Sequence, residues 1–433
     1  MKSGLASLLS LCCSLSLMAG CAPTAGKAEV VVNFWAMGAE GEVVQQMLPE
    51  FERRHPGVRV KVQQLPWTAA HEKLLTAYAG DATPDIAQMG NTWMPEMAAL
   101  KALEPLDARI KTSTVVQPAD YFDGIWNTNV MAHQTLGVPW YVDTRLLYYR
   151  RDLLAAAGFD APPADWDAWR RMMRAIKARA RPGQYAIYLP VNEFDPLLAL
   201  ALQQDAPLLQ GGGRFGHFGG PDFLRALGFY SEMFREGWAP QLSNNQMANV
   251  WTEFGRGTFV FYISGPWNIG EFKRRLPPEL KDAWMTAPLP GPHGAGASTA
   301  GGSSLVVFKQ SRHKKEAWAL IEYLSAPEQQ LRFYALTGNL PPRRSSWQDP
   351  TLAGDAHARA FRDQLERVKP SPAVPEWERI AQEMQLMAAR QIDSGMPLEQ
   401  ATAELDRRVN GILEKRRWML DRAADPAAGK APP

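Results

Sequence analysis

One segment of the sequence formally matches a cofactor-binding motif. Residues 211–216, Gly-Gly-Gly-Arg-Phe-Gly, fit the Gly-x-Gly-x-x-Gly pattern, whose chemistry is the binding of a dinucleotide pyrophosphate. That chemistry requires a strand before the glycines and a helix after them, whereas a helical pattern precedes this segment. We therefore interpret residues 211–216 as a loop or a hairpin turn.

Other signatures of catalysis and metal binding are missing from the sequence. It has no Gly-x-Ser-x-Gly, no His-Glu-x-x-His, no Cys pair for zinc and no Gly-x-x-x-x-Gly-Lys. The seven His residues are scattered without the spacing of metal ligands. The sequence thus predicts no cofactor and no metal, and it favours a non-enzymatic function.

The composition limits the class of protein. A length of 433 residues is enough for two domain-sized cores, and 46% hydrophobic with 21% charged residues is typical of a globular chain. The formal net charge of +2 provides no excess of Lys and Arg for phosphate binding, so no nucleic-acid partner is expected. Most of the 15 Trp residues are expected to fill the core, although Trp35, Trp67 and Trp93 are equally compatible with a binding site.

The N-terminus has the features of an export signal. Lys2 provides a positive charge, residues 5–17 form an apolar run that is short for a membrane span, and two small residues precede Cys21. We therefore predict that residues 1–20 are a signal peptide. No later segment has 18 uninterrupted apolar residues, so no other membrane span is expected.

Cys21 is expected to carry a membrane anchor. The preceding Leu-Met-Ala-Gly is similar to the bacterial lipobox, in which the cysteine is lipidated and becomes the new N-terminus. Leu is commoner where Met18 stands, so cleavage without lipidation is the alternative. Cys12 and Cys13 lie inside the signal, which leaves no pair for an internal disulfide, and residues 21–28 form a short tether.

The first half of the mature chain shows the pattern of an α/β lobe. Residues 30–35 and 58–65 are rich in β-formers, and the helical spacing of residues 41–55 between them completes a β-α-β unit. A second helix is predicted at 68–79. The short apolar run at 86–89 then predicts a third parallel strand, and the ends of such strands carry ligand loops.

The second half is mainly helical, with one buried strand predicted at 259–263. The Gly- and Pro-rich stretch 288–304 is too long for an ordinary turn, which suggests a crossover between two lobes. The tail 422–433 has the composition of a disordered segment. Helices are predicted at 165–180, 221–236, 313–325, 327–337, 376–393 and 398–420.

Several motifs, taken in their order along the chain, carry a family resemblance. They are Phe-Trp-Ala-Met-Gly at 34–38, Trp67 and the segment 73–86 ending in Thr-Pro-Asp-Ile, Gly-Val-Pro-Trp-Tyr-Val-Asp at 137–143, Leu-Tyr-Tyr-Arg-Arg-Asp-Leu-Leu at 147–154, Phe-Gly-Arg-Gly-Thr-Phe at 254–259, Gly-Pro-Trp at 265–267 and Thr-Gly-Asn-Leu-Pro-Pro-Arg at 337–343. Together they closely resemble the family 1 extracellular solute-binding proteins, the sugar-capturing subunits of ABC importers.

The resemblance implies an α/β fold of the periplasmic-binding-protein type II. Two lobes are joined by crossover hinge strands, and the ligand cleft lies between them. The first lobe is expected to comprise residues 29–141 with 291–336, and the second residues 142–290 with 337–421.

The resemblance also implies ligand-binding residues. Asp143 follows Tyr141 and stands at the family's acidic position at the first crossover, while Glu193 stands at a second acidic position. Trp267 occupies the place of the family's stacking tryptophan. The plainer interpretations are a hinge or surface carboxylate for each acid and a core residue for Trp267.

The first-lobe binding loop departs from the family pattern. Asn91, Thr92 and Trp93 occupy its place but lack the Asp of maltose-type members, and Glu40 or Glu42 is the candidate to compensate. This departure leaves the identity of the sugar open.

Three further candidates complete the expected site. Trp35 closes the first predicted strand, and Trp377 is a stacking candidate from the last segment of the second lobe. Arg343 falls in a loop that supplies a polar contact in some members, although beside Arg344 it is equally interpreted as a solvated charge.

The chemistry of these residue types suits a sugar. A sugar ring has an apolar C–H face and a rim of hydroxyls, so an aromatic ring covers the face while ionised carboxylates accept hydrogen bonds from the rim. The resemblance therefore implies a monomeric, lipid-anchored, extracytoplasmic protein with a carbohydrate ligand and separate permease subunits as partners. Alternatives are sugar sensing without transport, a sugar-phosphate ligand, and glycoside hydrolysis by Asp143 and Glu193.

Overall fold

The computed structural model describes residues 29–247 and 249–424. The predicted signal peptide, the lipidation site Cys21 and the tether therefore lie outside the described residues. Among the helices within the described ranges, none is long and apolar enough to cross a membrane.

Strands of very different length make up the sheets and hairpins of the fold. In chain order they are β1 (Val30–Met37), β2 (Val58–Leu65), β3 (Ile86–Gly90), β4 (Val130–Met131), β5 (Gln134–Thr135), β6 (Val138–Asp143), β7 (Leu146–Arg150), β8 (Tyr185–Tyr188), β9 (Leu209–Gln210), β10 (Phe215–Gly216), β11 (Phe259–Ser264), β12 (Trp284–Ala287), β13 (Pro290–Gly291), β14 (Gly294–Ala295), β15 (Ser298–Thr299), β16 (Gly301–Val307) and β17 (Val368–Lys369).

Helices cover the sheets and form most of the C-terminal part. They are α1 (Gly38–Val43), α2 (Leu48–Arg54), α3 (Trp67–Ala79), α4 (Met94–Ala99), α5 (Asp107–Ile110), α6 (Asp123–Trp126), α7 (Arg151–Ala156), α8 (Trp166–Arg179), α9 (Asp195–Leu202), α10 (Pro221–Arg235), α11 (Val250–Arg256), α12 (Trp267–Arg275), α13 (Lys314–Ser325), α14 (Pro327–Thr337), α15 (Pro350–Ala353), α16 (Ala356–Leu365), α17 (Trp377–Ser394), α18 (Leu398–Ile412) and α19 (Glu414–Ala424).

The first lobe is built on a five-stranded sheet with the order β2-β1-β3-β16-β6. β1 pairs in parallel with β2 and β3, which confirms the predicted third parallel strand, while β16 runs antiparallel to β3 and β6. Val32 and Phe34 of β1 pack in one core cluster with Phe51 of α2 and Ile321 of α13. Burial of this apolar face drives the packing of the helices on the sheet.

The second lobe is built on a four-stranded sheet with the order β12-β7-β11-β8. Trp169 of α8 meets Phe261 of β11 edge-on, with ring centroids 6.1 Å apart, and so fixes the helix on the sheet. The start of α8 follows from its sequence, because the Asp165 carboxylate accepts the Ala168 N–H at 2.7 Å and caps the helix.

The chain passes between the sheets at two places, and it crosses to the second lobe once more after α14, where Leu340 forms a bridge with Val142 at the end of β6. β6 of the first sheet ends at Asp143, and β7 of the second sheet begins three residues later at Leu146. On the return, β15 pairs with β17, and β16 enters the first sheet at Gly301 beside Asp143. The exact limits of the two lobes stay predictions.

Three predicted segments differ from the structure. The helix expected at 398–420 is divided into α18 and α19, with Leu413 between them. The helix expected at 41–55 is divided into α1, a short 3₁₀ turn and α2, because Pro49 has no N–H to continue a helix through this point. The disordered tail was predicted to begin at residue 422, and this limit is wrong because α19 continues through Ala424. The rest of the predicted tail, residues 425–433, lies outside the described residues. An ion pair between Arg214 and Asp421 holds α19 against the β9–β10 hairpin.

The glycine-rich segment forms the hairpin turn that the sequence predicted. Gly211, Gly212 and Gly213 connect β9 to β10 with φ angles of 62°, 70° and 81°. Residues that carry a side chain rarely adopt this left-handed backbone conformation, and this is the structural reason for the consecutive glycines here.

Candidate ligand-binding site

A cavity of about 550 Å³ lies between the lobes, beside the crossovers. This volume is in the range of ligand pockets for small molecules. Its polar, charged and aromatic lining comes from both lobes and comprises Glu40, Trp67, Asn91, Thr92, Trp93, Tyr141, Asp143, Arg145, Phe194, Asp195, Trp267, Thr299, Asn339, Ser371 and Glu378.

The first-lobe wall of the cavity is aromatic. Trp93 lies in the 3₁₀ turn that follows β3, with its ring against Gly90, where an added Cβ would come within 3.2 Å of the ring. Trp67 begins α3 and meets Trp93 nearly edge-on, with centroids 5.6 Å apart and an interplanar angle of 61°. The two rings support each other and present an apolar surface to the cavity.

Trp267 forms the aromatic element of the second lobe. It begins α12, just after β11 ends and the chain turns through Gly265 and Pro266. A Cβ at Gly265 would overlap the indole, so the ring lies flat on bare backbone. The Arg145 guanidinium lies 4.7 Å from the Trp267 ring centroid, within the range of a cation–π interaction. These two contacts fix the orientation of the ring.

Arg145 is the centre of a charge cluster at the first crossover. Its guanidinium contacts the Asp143 carboxylate at 2.5 Å and the Asp195 carboxylate at 3.3 Å. Burial alone would lower the pKa of Arg145, but Asp143, Asp195 and Glu193 raise it well above its usual value. Arg145 therefore stays charged and holds the two aspartates at the cavity.

Negative charge exceeds positive charge around the cavity. Burial raises the pKa of Asp143 although Arg145 opposes it, and burial likewise raises the pKa of Glu193. The pKa of Glu378 is also raised by burial, against the effects of Thr92 and nearby His71. One guanidinium thus does not compensate the acidic groups around it.

Uncharged polar groups complete the site. Asn91 accepts a hydrogen bond from the Ser304 hydroxyl at 3.0 Å, and its buried Nδ2 has no acceptor within the described residues. Asn339 donates to the Glu40 carboxylate at 2.9 Å and holds it at the cavity. The Asn91 amide is therefore a donor for a ligand oxygen, and Glu40 is a fixed acceptor.

The family follows from comparison with known proteins. Residues 36–331, more than half of the chain, match the family model of the bacterial extracellular solute-binding proteins. The chain belongs to this family. Membership places the protein outside the cytoplasm, as the sequence predicted.

Individual relatives of this solute-binding protein cover most of its length. An uncharacterized lipoprotein of Streptomyces antibioticus is 27% identical over 396 residues, which are 86% of this chain and 85% of that protein. A binding protein of Brucella abortus is 25% identical over 345 residues, 79% of this chain and 82% of its own length.

A solved structure confirms the fold. The sugar-binding protein MalE from Xanthomonas citri is 54% identical, with a TM-score of 0.88, and the match covers 91% of this chain and all of that one. The α/β, two-lobed type II fold expected from the sequence is therefore that of this solute-binding protein.

Most of the predicted contact residues meet at one place in the solute-binding protein. Seven of them line the cavity: Glu40, Asn91, Thr92, Trp93, Tyr141, Asp143 and Trp267. Glu42, the alternative to Glu40, is exposed and lies outside the lining. Their role in binding stays a prediction.

Arg343 and Trp377 lie away from the cavity. The Arg343 guanidinium is buried, donates to Asp120 at 2.6 Å and to the Ser325 carbonyl at 2.8 Å, and so acts within the fold. Trp377 is 0% exposed in the second-lobe core, where the apolar face of α17 packs.

Trp35 and Glu193 are also absent from the lining. Trp35 is half-buried, and the Lys73 ammonium lies 5.2 Å from its ring centroid. Glu193 accepts a hydrogen bond from Asn244 and acts on the site through its charge, which raises the pKa of Arg145.

The lining includes charged and polar residues that were not predicted to bind, among them Arg145, Asp195, Asn339 and Glu378, and also Trp67, which the sequence left open. Two of them lay within reach of the sequence, because Arg145 follows Asp143 by two residues and Asn339 is part of the motif at 337–343. Glu378 carried no such signal. It is next to the buried Trp377 in sequence, and only the direction in which each side chain leaves α17 separates the two.

Proposed function

We propose that this solute-binding protein captures a di- or oligosaccharide between its lobes and delivers it to the permease subunits of an ABC importer. The observation that supports this most directly is the combination of aromatic rings on both lobes with carboxylates around one cavity. Trp93 and Trp267 cover the C–H faces of sugar rings, and Asp143 and Glu40 accept hydrogen bonds from hydroxyls.

The charge of the cavity favours a neutral sugar. Four carboxylates line it, those of Glu40, Asp143, Asp195 and Glu378, whereas Arg145 is the one guanidinium among the described residues of the lining and is already paired. A sugar phosphate would bring further negative charge to this site and would find no free cation there. We therefore favour a neutral carbohydrate over the sugar-phosphate alternative.

The names of relatives point the same way. The 54% identical structure is that of a sugar-binding protein, and a Streptomyces coelicolor relative that is 23% identical is a diacetylchitobiose-binding protein. A galactooligosaccharide-binding protein of Bacillus subtilis is 21% identical over 91% of this chain. These proteins support a carbohydrate ligand here and leave the particular sugar to experiment.

A calorimetric screen of neutral di- and oligosaccharides on the purified mature protein tests the proposal. At least one should bind, and Trp267→Ala should weaken that binding by about 2 kcal/mol, or roughly 30-fold, the scale of a truncated aromatic anchor. Trp418→Ala, which removes an exposed tryptophan outside the cavity, is the matched control and should bind normally. Binding of amino acids, peptides or sugar phosphates without any neutral sugar would contradict the proposal.

We also propose that Cys21 is lipidated and holds the protein at the outer face of a membrane. The lipobox-like sequence supports this, as does the lipoprotein relative from Streptomyces antibioticus. Membrane fractionation tests it: the parent should stay with membranes in high-salt, detergent-free washes, and Cys21→Ser should be released. Equal retention of both proteins would refute the lipid anchor.

A further inference from the structure

A second cavity, of about 450 Å³, lies within the second lobe. The C-terminal end of α9, the β9–β10 turn, the segment 369–374 and Arg416 surround it. It is separated from the carbohydrate cavity by the segment 369–374, in which Ser371 lines the first cavity while Pro370 and Pro372 line the second. The two cavities therefore share a wall but have separate linings.

The lining of the second cavity is mostly apolar. Leu202, Leu208, Leu209 and Val374 contribute aliphatic surface, together with prolines 207, 370 and 372. A Cβ added at Gly212 in the β9–β10 turn would meet nothing within 4 Å. Because Gly212 has no side chain, the turn does not fill this part of the cavity. A ligand with an apolar body fits this surface.

The polar groups of the lining are mainly donors. Gln204 is 5% exposed, its Oε1 already accepts from Arg225 at 2.8 Å, and its buried Nε2 has no acceptor within the described residues. The buried Nε of Arg416 also has no acceptor there, and the nearest carboxylate oxygen, on Glu376, lies 3.9 Å from the guanidinium. The Lys369 ammonium has three N–H groups and donates one of them to the backbone carbonyl of Gln204, at 3.2 Å.

This donor set calls for an oxygen-rich ligand. Buried donors without acceptors cost free energy, and a ligand that supplies acceptors recovers it. Two of the donors, Arg416 and Lys369, are cations; Arg416 is partly buried, whereas Lys369 and the carboxylate of the lining, Asp205, are both exposed. A carboxylate group satisfies a guanidinium and an ammonium better than a neutral oxygen does.

We propose that this cavity is a second binding site, for a small organic carboxylate with an apolar body. The carboxylate contacts Arg416, Lys369 and the Gln204 amide, and the apolar body packs on the prolines and leucines. The site is independent of carbohydrate capture, because none of these residues lines the first cavity.

Calorimetric titration of the mature protein with benzoate, benzamide and inorganic phosphate tests the proposal. Benzoate should bind, while neutral benzamide and phosphate, which lacks an apolar body, should bind at least about tenfold more weakly. Equal binding of benzoate and benzamide, stronger binding of phosphate, or no binding of benzoate would overturn it.

Variants locate the site. Arg416→Gln should weaken benzoate binding by about tenfold or more, the scale of one charge-assisted hydrogen bond. Lys415→Gln removes the same charge from the neighbouring exposed residue and should have no effect. Gln204→Glu retains the acceptor for Arg225 but replaces the free amide donor with an oxygen, so it should also weaken benzoate binding. Trp267→Ala should bind benzoate normally; if it does not, or if Arg416→Gln and Lys415→Gln behave alike, the site is not this cavity.

Discussion

Asp143 and Glu378 line the carbohydrate cavity, and the Glu193 carboxyl group lies close enough to Arg145 to act on it through its charge. Burial raises the pKa of each of them, so each takes up a proton at a higher pH than an exposed carboxyl group does. A protonated carboxyl loses the charge that makes it a strong acceptor for sugar hydroxyls. The protonation of these groups is therefore linked to the strength of binding.

Carbohydrate affinity should fall as the pH is lowered from neutral into the acid range, because the raised pKa of these carboxyl groups makes them take up protons at a higher pH than exposed carboxyl groups do. Calorimetric titration across this range measures the effect, and Asp143→Asn should show lower affinity at neutral pH with a flatter profile. The protonation of these carboxyl groups does not unfold the protein, so unfolding through them does not explain a loss of affinity at acid pH. A group whose pKa is raised in the folded state stabilises that state at acid pH, and this contribution is lost as the pH rises through the raised pKa. A pH-independent affinity would contradict the role of these carboxylates.

At the scale of elements, the junction of β11 and α12 decides where Trp267 points. The strand ends at Ser264, and the indole at the start of α12 folds back over Gly265. Because the ring occupies the space of a Cβ at this glycine, the aromatic surface depends on a residue that does not itself line the cavity.

Gly265→Ala should therefore displace the Trp267 ring and weaken carbohydrate binding by about tenfold, part of the cost of losing the ring entirely. Gly270→Ala is the matched control. Gly270 lies in α12, the helix that Trp267 begins, and a Cβ added there meets nothing within 4 Å. That control should bind normally and gain roughly 0.5–1 kcal/mol of stability. Calorimetry and thermal unfolding of both variants measure these effects, and unchanged affinity in a folded Gly265→Ala protein would show that the ring tolerates movement.

At the scale of the whole molecule, the cavity depends on two separate sheets. Trp93 and Asn91 follow β3 of the first sheet, whereas Trp267 and Asp195 belong to helices on the second. The chain connects the lobes through three links beside the end of β6, at residues 143–146, at Gly301 and at Leu340. A ligand that contacts both walls therefore favours the arrangement of the lobes in which the two walls are close enough to bind it at the same time.

Carbohydrate binding should reduce the radius of gyration in solution scattering and raise the unfolding temperature. A ligand at a hundredfold excess over Kd adds about 2.7 kcal/mol to the stability of the native state. Trp267→Ala at the same sugar concentration should show a smaller compaction and a smaller shift. A sugar that binds tightly without changing the radius of gyration would indicate that the lobes do not close around it.

The sequence by itself determined several of the main strands and helices and the family. The alternation in β2, the helical spacing of α3 and the capping residue Asp165 are local patterns, and the structure has these elements within a residue or two of the predicted limits. The ordered motifs led to the two-lobed fold through the family resemblance that they carry together.

Only the tertiary structure decided which side chains reach the cavity. Trp377 and Glu378 are neighbours in sequence, but successive helical residues point about 100° apart, so one enters the core and the other the cavity. Arg343 is paired with Asp120, more than two hundred residues away, which no local pattern reveals. The direction of a side chain and its charge partner depend on packing between distant segments, and a linear sequence does not encode those distances locally.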